Sequence, residues 1–230
     1  MIRKFTYNNR VLTAEEREDY CRKADEYINM YSGFIEEGVK LAKEAAATVS
    51  DNSGSATINK TLLEISTFTT HAFCDCIVLN KLFVRASHPY EKSLLRGKLK
   101  VHLNESFKRL YGFNKNSYKN SYCAKLEQLV NRFFPGFKEE FRKLMSDFEQ
   151  LSKDSWWKDE RNAEVHIDVA KLYELRHEEI NESKIAMEAN LLTSLIHRLD
   201  LFTRDLYGVY FRYMKTQYIK EHGHLPDLNG

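Results

Sequence analysis

Between Ser155 and Arg176 the chain reads Ser-Trp-Trp-Lys-Asp-Glu-Arg-Asn-Ala-Glu-Val-His-Ile-Asp-Val-Ala-Lys-Leu-Tyr-Glu-Leu-Arg. Its centre, Arg161-Asn162-Ala163-Glu164-Val165-His166, sets an arginine five residues ahead of a histidine. A guanidinium is always charged, and an imidazole titrates near neutrality. On one helix that spacing turns the two side chains roughly 140° apart, so they do not stack but can border one groove. RNA cleavage without a metal needs a base for the 2′-hydroxyl proton, an acid for the leaving 5′-oxygen and a fixed positive donor for the phosphate. Histidine supplies the first two roles and arginine's planar fork the third. Asn162 is placed to orient the phosphate or the imidazole. A single Arg/His pair is a sparse site, and two pairs meeting across a twofold axis make a fuller one.

The pattern of Arg, then a polar residue, then three residues, then His resembles the signature of the HEPN superfamily (higher eukaryotes and prokaryotes nucleotide-binding domains), and Arg161 to His166 fits it position by position. The resemblance implies an all-α, dimeric, often metal-independent endoribonuclease of the kind common in toxin–antitoxin, phage-defence and RNA-processing systems. It implies Arg161 and His166 as catalytic groups and Asn162 as their polar helper. It implies RNA and a second copy of the chain as partners, with an antitoxin or a nucleotidyltransferase as a further one, and no cofactor. The alternative is a non-catalytic helical module that binds RNA, a nucleotide or a protein. On that reading Arg161 sits in an ordinary ion pair with Glu160, Glu164 or Asp168.

Other residues invite the same weighing. Arg96, Lys98 and Lys100, near Lys92, Lys115 and Lys119, form the most basic region and are the candidates for an RNA backbone track. Trp157 is a candidate for stacking on a base, although adjacent tryptophans more often serve one in the core and one at an interface. Glu174 and His177 match half of a di-iron Glu-x-x-His pair, and no second copy occurs. His71, Cys74 and Cys76 lack zinc-knuckle spacing and read as part of an apolar stripe. No phosphate loop rich in glycine and no nucleophile elbow is present.

The elements that must hold these groups are helical. In 230 residues there are three prolines and nine glycines, with 43% hydrophobic and 30% charged content. So few breakers favour long uninterrupted helices. Thr13-Ala14-Glu15-Glu16 predicts a capping box, followed by a stripe of Tyr20, Ala24, Tyr27, Tyr31 and Phe34. A second helix is predicted from about Ile58 to Ala86, with Ile58, Leu62, Ile65, Phe68, Ala72, Cys76, Leu79 and Phe83 on its stripe. Pro89 suits the first turn of a third helix. Residues 112–122 read as a loop. A fourth helix spans Cys123 to Phe134, Pro135-Gly136 breaks it, and the apolar pattern resumes at Phe137. The longest helix runs from about Glu179 to His222, with Ile185, Leu192, Leu195, Ile196, Leu199, Phe202, Leu206, Val209, Tyr210 and Tyr213 on its core face.

These elements predict a single all-α domain over 1–230, an antiparallel bundle of five or six long helices, with an arm at 1–12 and a tail at 223–230. The net charge of +2 neither requires nor excludes nucleic acid. With no apolar run after the first residues and no stretch near ~20 apolar residues, neither a secretory signal nor a membrane span is expected. Cys21, Cys74, Cys76 and Cys123 read as reduced, mostly buried thiols of a cytoplasmic protein.

Overall fold

Helix α2 (Gly54–Arg85) carries apolar residues on most of its faces, and four other helices pack against it. The computed structural model describes residues 12–48, 54–153, 170–171, 173–174 and 180–222. Within them the chain is helical and contains no strand. The other elements are α1 (Ala14–Thr48), α3 (Pro89–Leu110), α4 (Lys115–Lys119), α5 (Tyr122–Phe133), a 3₁₀ turn (Pro135–Phe137), α6 (Lys138–Lys153) and α7 (Glu182–His222).

Cross-helix contacts fix the directions. Along α1 and α2 the pairs are Arg17 with Val84, Tyr20 with Asn80 and Tyr31 with Phe73, so the two run antiparallel. Along α2 and α7, Asn80 meets Ala186 and Thr70 meets Asp200, again antiparallel. Helix α3 meets α2 at His102 and Ala72, and meets α7 at Lys92–Glu182 and Lys100–Glu188. Thus α1, α3 and α7 run one way around an α2 that runs the other, and α5 and α6 close the remaining side. Leu62, Ile65, Cys76 and Phe83 of α2 have no exposed surface. Each fully buried side chain of this size contributes about 1.5–3 kcal/mol. By length and composition Thr57–Arg85 passes as a membrane-spanning segment. Here it is the central helix, and the packing of three long neighbours accounts for its apolar character.

Local chemistry sets the ends. Thr13 N donates to Glu16 Oε2 at 2.9 Å and Glu16 N to Thr13 Oγ1 at 3.2 Å, which is the expected capping box. Pro89 opens α3 behind His88, whose Nδ1 accepts from Tyr90 N. Asn181 Oδ1 accepts from Lys184 N and caps α7. Pro135-Gly136 separates α5 from α6 through the 3₁₀ turn.

The structure differs from the sequence reading in three places. Residues 112–122 contain the five-residue α4, held by a capping box between Asn114 and Ser117. Its propensities are poor, and tertiary packing of Tyr118 against Tyr111, at 5.4 Å between ring centres, stands behind it. Tyr27 and Phe34, placed on the core stripe of α1, are 47% and 37% exposed, because α1 packs mainly on α2 and leaves one edge of the stripe uncovered. Tyr213, assigned to the core face of α7, is 58% exposed beyond the cover of α2. All four cysteines are free thiols. Cys74, Cys76 and Cys123 are buried and Cys21 is half-buried.

Two glycines test the backbone. Gly112 has φ +82°, and a Cβ there would lie 2.6 Å from Tyr118 N and 2.7 Å from Ser117 C. Gly208, inside α7, has open space at the same position. Gly112→Ala is expected to destabilise the protein by about 2–4 kcal/mol, through left-handed strain plus backbone collision. Gly208→Ala is expected to stabilise it by about 0.5–1 kcal/mol, since alanine orders a helix at lower entropic cost. Urea unfolding of both variants checks the pair.

Candidate functional site

Arg161, Asn162, His166 and Trp157 lie outside the described residues, as do His177 and the carboxylates nearest the motif. The basic track can be placed. Only Lys98 of its three candidates faces solvent; Arg96 and Lys100 are each 4% exposed and turned inward. Lys100 Nζ is 3.5 Å from Glu188 Oε2, and Lys92, also buried, is hydrogen-bonded to Glu182. Glu182 accepts from Arg17 as well. Of the expected track Arg96, Lys98 and Lys100, Arg96 and Lys100 are thus buried and Lys98 alone is exposed, and acids of α7 meet Lys92 and Lys100 in the interior. An enclosed ammonium needs such a partner, because burial without one costs several kcal/mol.

Sequence reasoning passed over a second polar cluster, on the other side of α7. His197, Asp200, Arg204 and Tyr207 follow each other at spacings of three, four and three, which puts them on one stripe. Asp200 is wholly buried. Its Oδ1 accepts from Thr69 Oγ1 at 2.9 Å, Ser66 Oγ at 3.1 Å and Thr70 Oγ1 at 3.4 Å. Its Oδ2 lies 2.8 Å from Arg204 Nε, but the two are not aligned for a hydrogen bond. The contact is thus an ion pair by distance, and each atom retains hydrogen-bonding capacity. The Arg204 guanidinium lies over the Phe34 ring, 4.3 Å from its centre, a cation–π contact worth about 0.5–2 kcal/mol.

One helical turn earlier, Tyr31 Oη is hydrogen-bonded to His197 Nδ1, and Phe73 packs against both rings. Burial, reinforced by the charge of Asp200, pushes the Tyr31 phenol up to about 12. It therefore keeps its proton at neutral pH. Burial also pushes Cys76 to about 12 and Cys74 to about 11, so neither supplies a thiolate nucleophile near neutrality.

Beside Arg204 opens a cavity of about 210 Å³ between α1, α2 and α7. Leu62, Leu63 and Phe34 give it apolar walls, while Ser66, Thr67, Thr70 and Thr203 bring hydroxyls. Glu37 stands at its edge, exposed. A second hollow of about 510 Å³ lies about one turn further along α2 and α7, lined by Ile58, Arg132, Phe133, Val209 and Tyr213, with Arg132 over the Phe133 ring. Among the described residues no group of three or more His, Cys, Asp or Glu side chains is placed to hold a metal ion. What the first cluster can do chemically is hold and orient: its charges are balanced, its hydroxyls are fixed, and its phenol stays protonated. The sequence signal that could have found it is polar residues recurring on a stripe bounded by Ile196, Leu199, Phe202 and Leu206.

No family model, no curated protein and no solved structure matches this chain. The fold class therefore rests on the helices themselves.

Asp200→Ala removes the acceptor shared by three hydroxyls and leaves Arg204 without its counter-ion. A loss of about 3–5 kcal/mol is expected, with Asp200→Asn milder, as read from denaturant midpoints. Alkaline pH acts on the same region. The unfolded chain ionises its tyrosines and thiols near 10.0 and 9.0, whereas Tyr31 and Cys76 in the fold do so only near 12. Their protonated forms favour the fold, so this stability is whole below pH 9 and is lost as pH rises towards 12. Melting temperatures taken across that range should fall, and Tyr31→Phe should flatten the part of the decline above pH 10.

Proposed function

We propose that this chain is a metal-independent endoribonuclease of HEPN-like type, with His166 as general acid and base, Arg161 as phosphate clamp and Asn162 as orienting residue. The observation that carries it is the six-residue run Arg161 to His166, standing in sequence ahead of a 41-residue last helix. The all-α character of the described residues supports it, since the resemblance implies a helical fold. On this reading the protein works as a cytoplasmic homodimer acting on RNA, with two Arg/His pairs forming one site, and the setting is a toxin–antitoxin or phage-defence system.

A second reading is a non-catalytic helical module that binds RNA, a nucleotide or a protein, and one observation favours its protein-binding form. Arg96 and Lys100 face inward, so the strongest basic stretch of the chain does not lie open to a phosphate backbone.

The test is cleavage of a labelled RNA by purified protein in EDTA. His166→Ala and Arg161→Ala should each lower the rate by a factor of about 10² or more, the scale of general acid–base and electrostatic contributions. Equal rates in the wild type and both variants, or no cleavage of structured and unstructured RNAs alike, would leave the binding module as the function.

A further inference from the structure

We propose that single-stranded RNA binds along the exposed side of α5, with phosphates on Arg109, Lys125 and Arg132 and a base in the hollow beside Phe133. The inference deepens the RNA-directed reading above and rests on it for the choice of RNA. None of its residues belongs to the cleavage motif.

With Lys92, Arg96 and Lys100 turned inward, the cations open to solvent lie further along the chain. Residues 105–132 hold six basic side chains and two acidic ones, a surplus of four in a chain whose net charge is +2. Lys108, Arg109, Lys115, Lys119 and Arg132 are exposed, and the Lys125 side chain is 42% exposed. A local surplus on a near-neutral chain is the electrostatic footprint of polyanion binding.

Geometry joins three of the six. The Arg109 guanidinium, from the last turn of α3, lies 5.3 Å from the centre of the Tyr122 ring, and Lys125 Nζ lies 5.1 Å from it. Two helices thus bring two cations to one ring. Glu64 of α2 accepts from Lys125 there at 3.2 Å, its own side chain 40% exposed. An ion pair this open to water is weak, so a phosphate can take the carboxylate's place. Arg132 follows Lys125 by seven residues, two turns and about 10 Å further along the same face of α5.

At Arg132 the track meets the hollow of about 510 Å³. Phe133 and Tyr213, 40% and 58% exposed, stand in its wall beside Tyr210. A row of cations ending at open aromatic rings is the combination that single strands use: the cations follow the backbone, and the rings stack on unpaired bases whatever their sequence. An acidic peptide would engage the cations and leave the rings idle. A duplex keeps its bases stacked on each other and has none to place in the hollow.

The experiment is fluorescence anisotropy of a labelled twelve-nucleotide uridine strand with the full chain carrying His166→Ala, so that cleavage does not consume the probe. An RNA hairpin and polyglutamate serve as comparison probes. The single strand should bind more tightly than either. Lys125→Ala and Arg132→Ala should each weaken it about three- to tenfold and lower the slope of log K against log salt by about 0.7. Tyr213→Ala, at an exposed position, should weaken it about fivefold or more with the salt slope unchanged. Lys23→Ala removes an exposed cation of α1 near the other end of α2 and should change nothing. The proposal is overturned if the strand does not bind, if the hairpin or polyglutamate binds as tightly, if Lys23→Ala weakens binding as much as Lys125→Ala does, or if Tyr213→Ala binds as the parent does. Cleavage by the wild type is scored separately: its absence removes the nuclease reading and leaves the track standing, whereas cleavage with none of these binding changes removes the track alone.

Discussion

A helix 41 residues long can slide along its neighbours unless something fixes its register, and here the fixing is polar. Glu182, Glu188, Asn190, His197 and Asp200 descend α7 and each meets a partner on another helix: Arg17 and Lys92, then Lys100, then Asn80, then Tyr31, then the hydroxyls of Ser66, Thr69 and Thr70. Apolar contact would tolerate a shift of one turn, because leucines and phenylalanines exchange places at modest cost. A carboxylate moved one turn, about 5.4 Å, from its hydroxyls or its ammonium would be buried and unpaired. The core supplies the attraction between the helices, and these enclosed pairs choose one alignment out of several.

That choice has a functional side. Lys92 and Lys100 of α3, which a reader of the sequence would assign to a ligand, belong instead to the interior, where they hold α7 in place. Ser66 and Thr70 of α2 meet Asp200 and also line the cavity beside Arg204, so register and pocket share these hydroxyls. Any ligand entering beside Arg204 would act on a junction of three helices at once.

Much of the fold was legible because it is local. The Thr13–Glu16 box, the proline opening α3, the break at Pro135-Gly136 and the stripe of α2 are each set by residues within a few positions of one another. The helical class follows from them. What escaped was set at a distance. Nothing near Lys100 in the chain announces that Glu188 will face it, and nothing near Asp200 announces Thr69. Tyr27 and Phe34 repeat with helical period as core residues do, yet periodicity says which side of a helix is apolar and not how wide a neighbour covers it. The motif from Arg161 to His166 is legible as chemistry through its residue types, but the placement of those groups lies outside the described residues.

The depth of the four thiols has a practical consequence. Cys21 on α1 is partly accessible, Cys74 and Cys76 lie within α2, and Cys123 is enclosed at the start of α5. A thiol reagent added to the native protein would mark the outer helix first and reach the inner ones only as the bundle opens. The order and pace of labelling would then act as a stopwatch for which helix departs first, with no foreign reporter introduced into the chain.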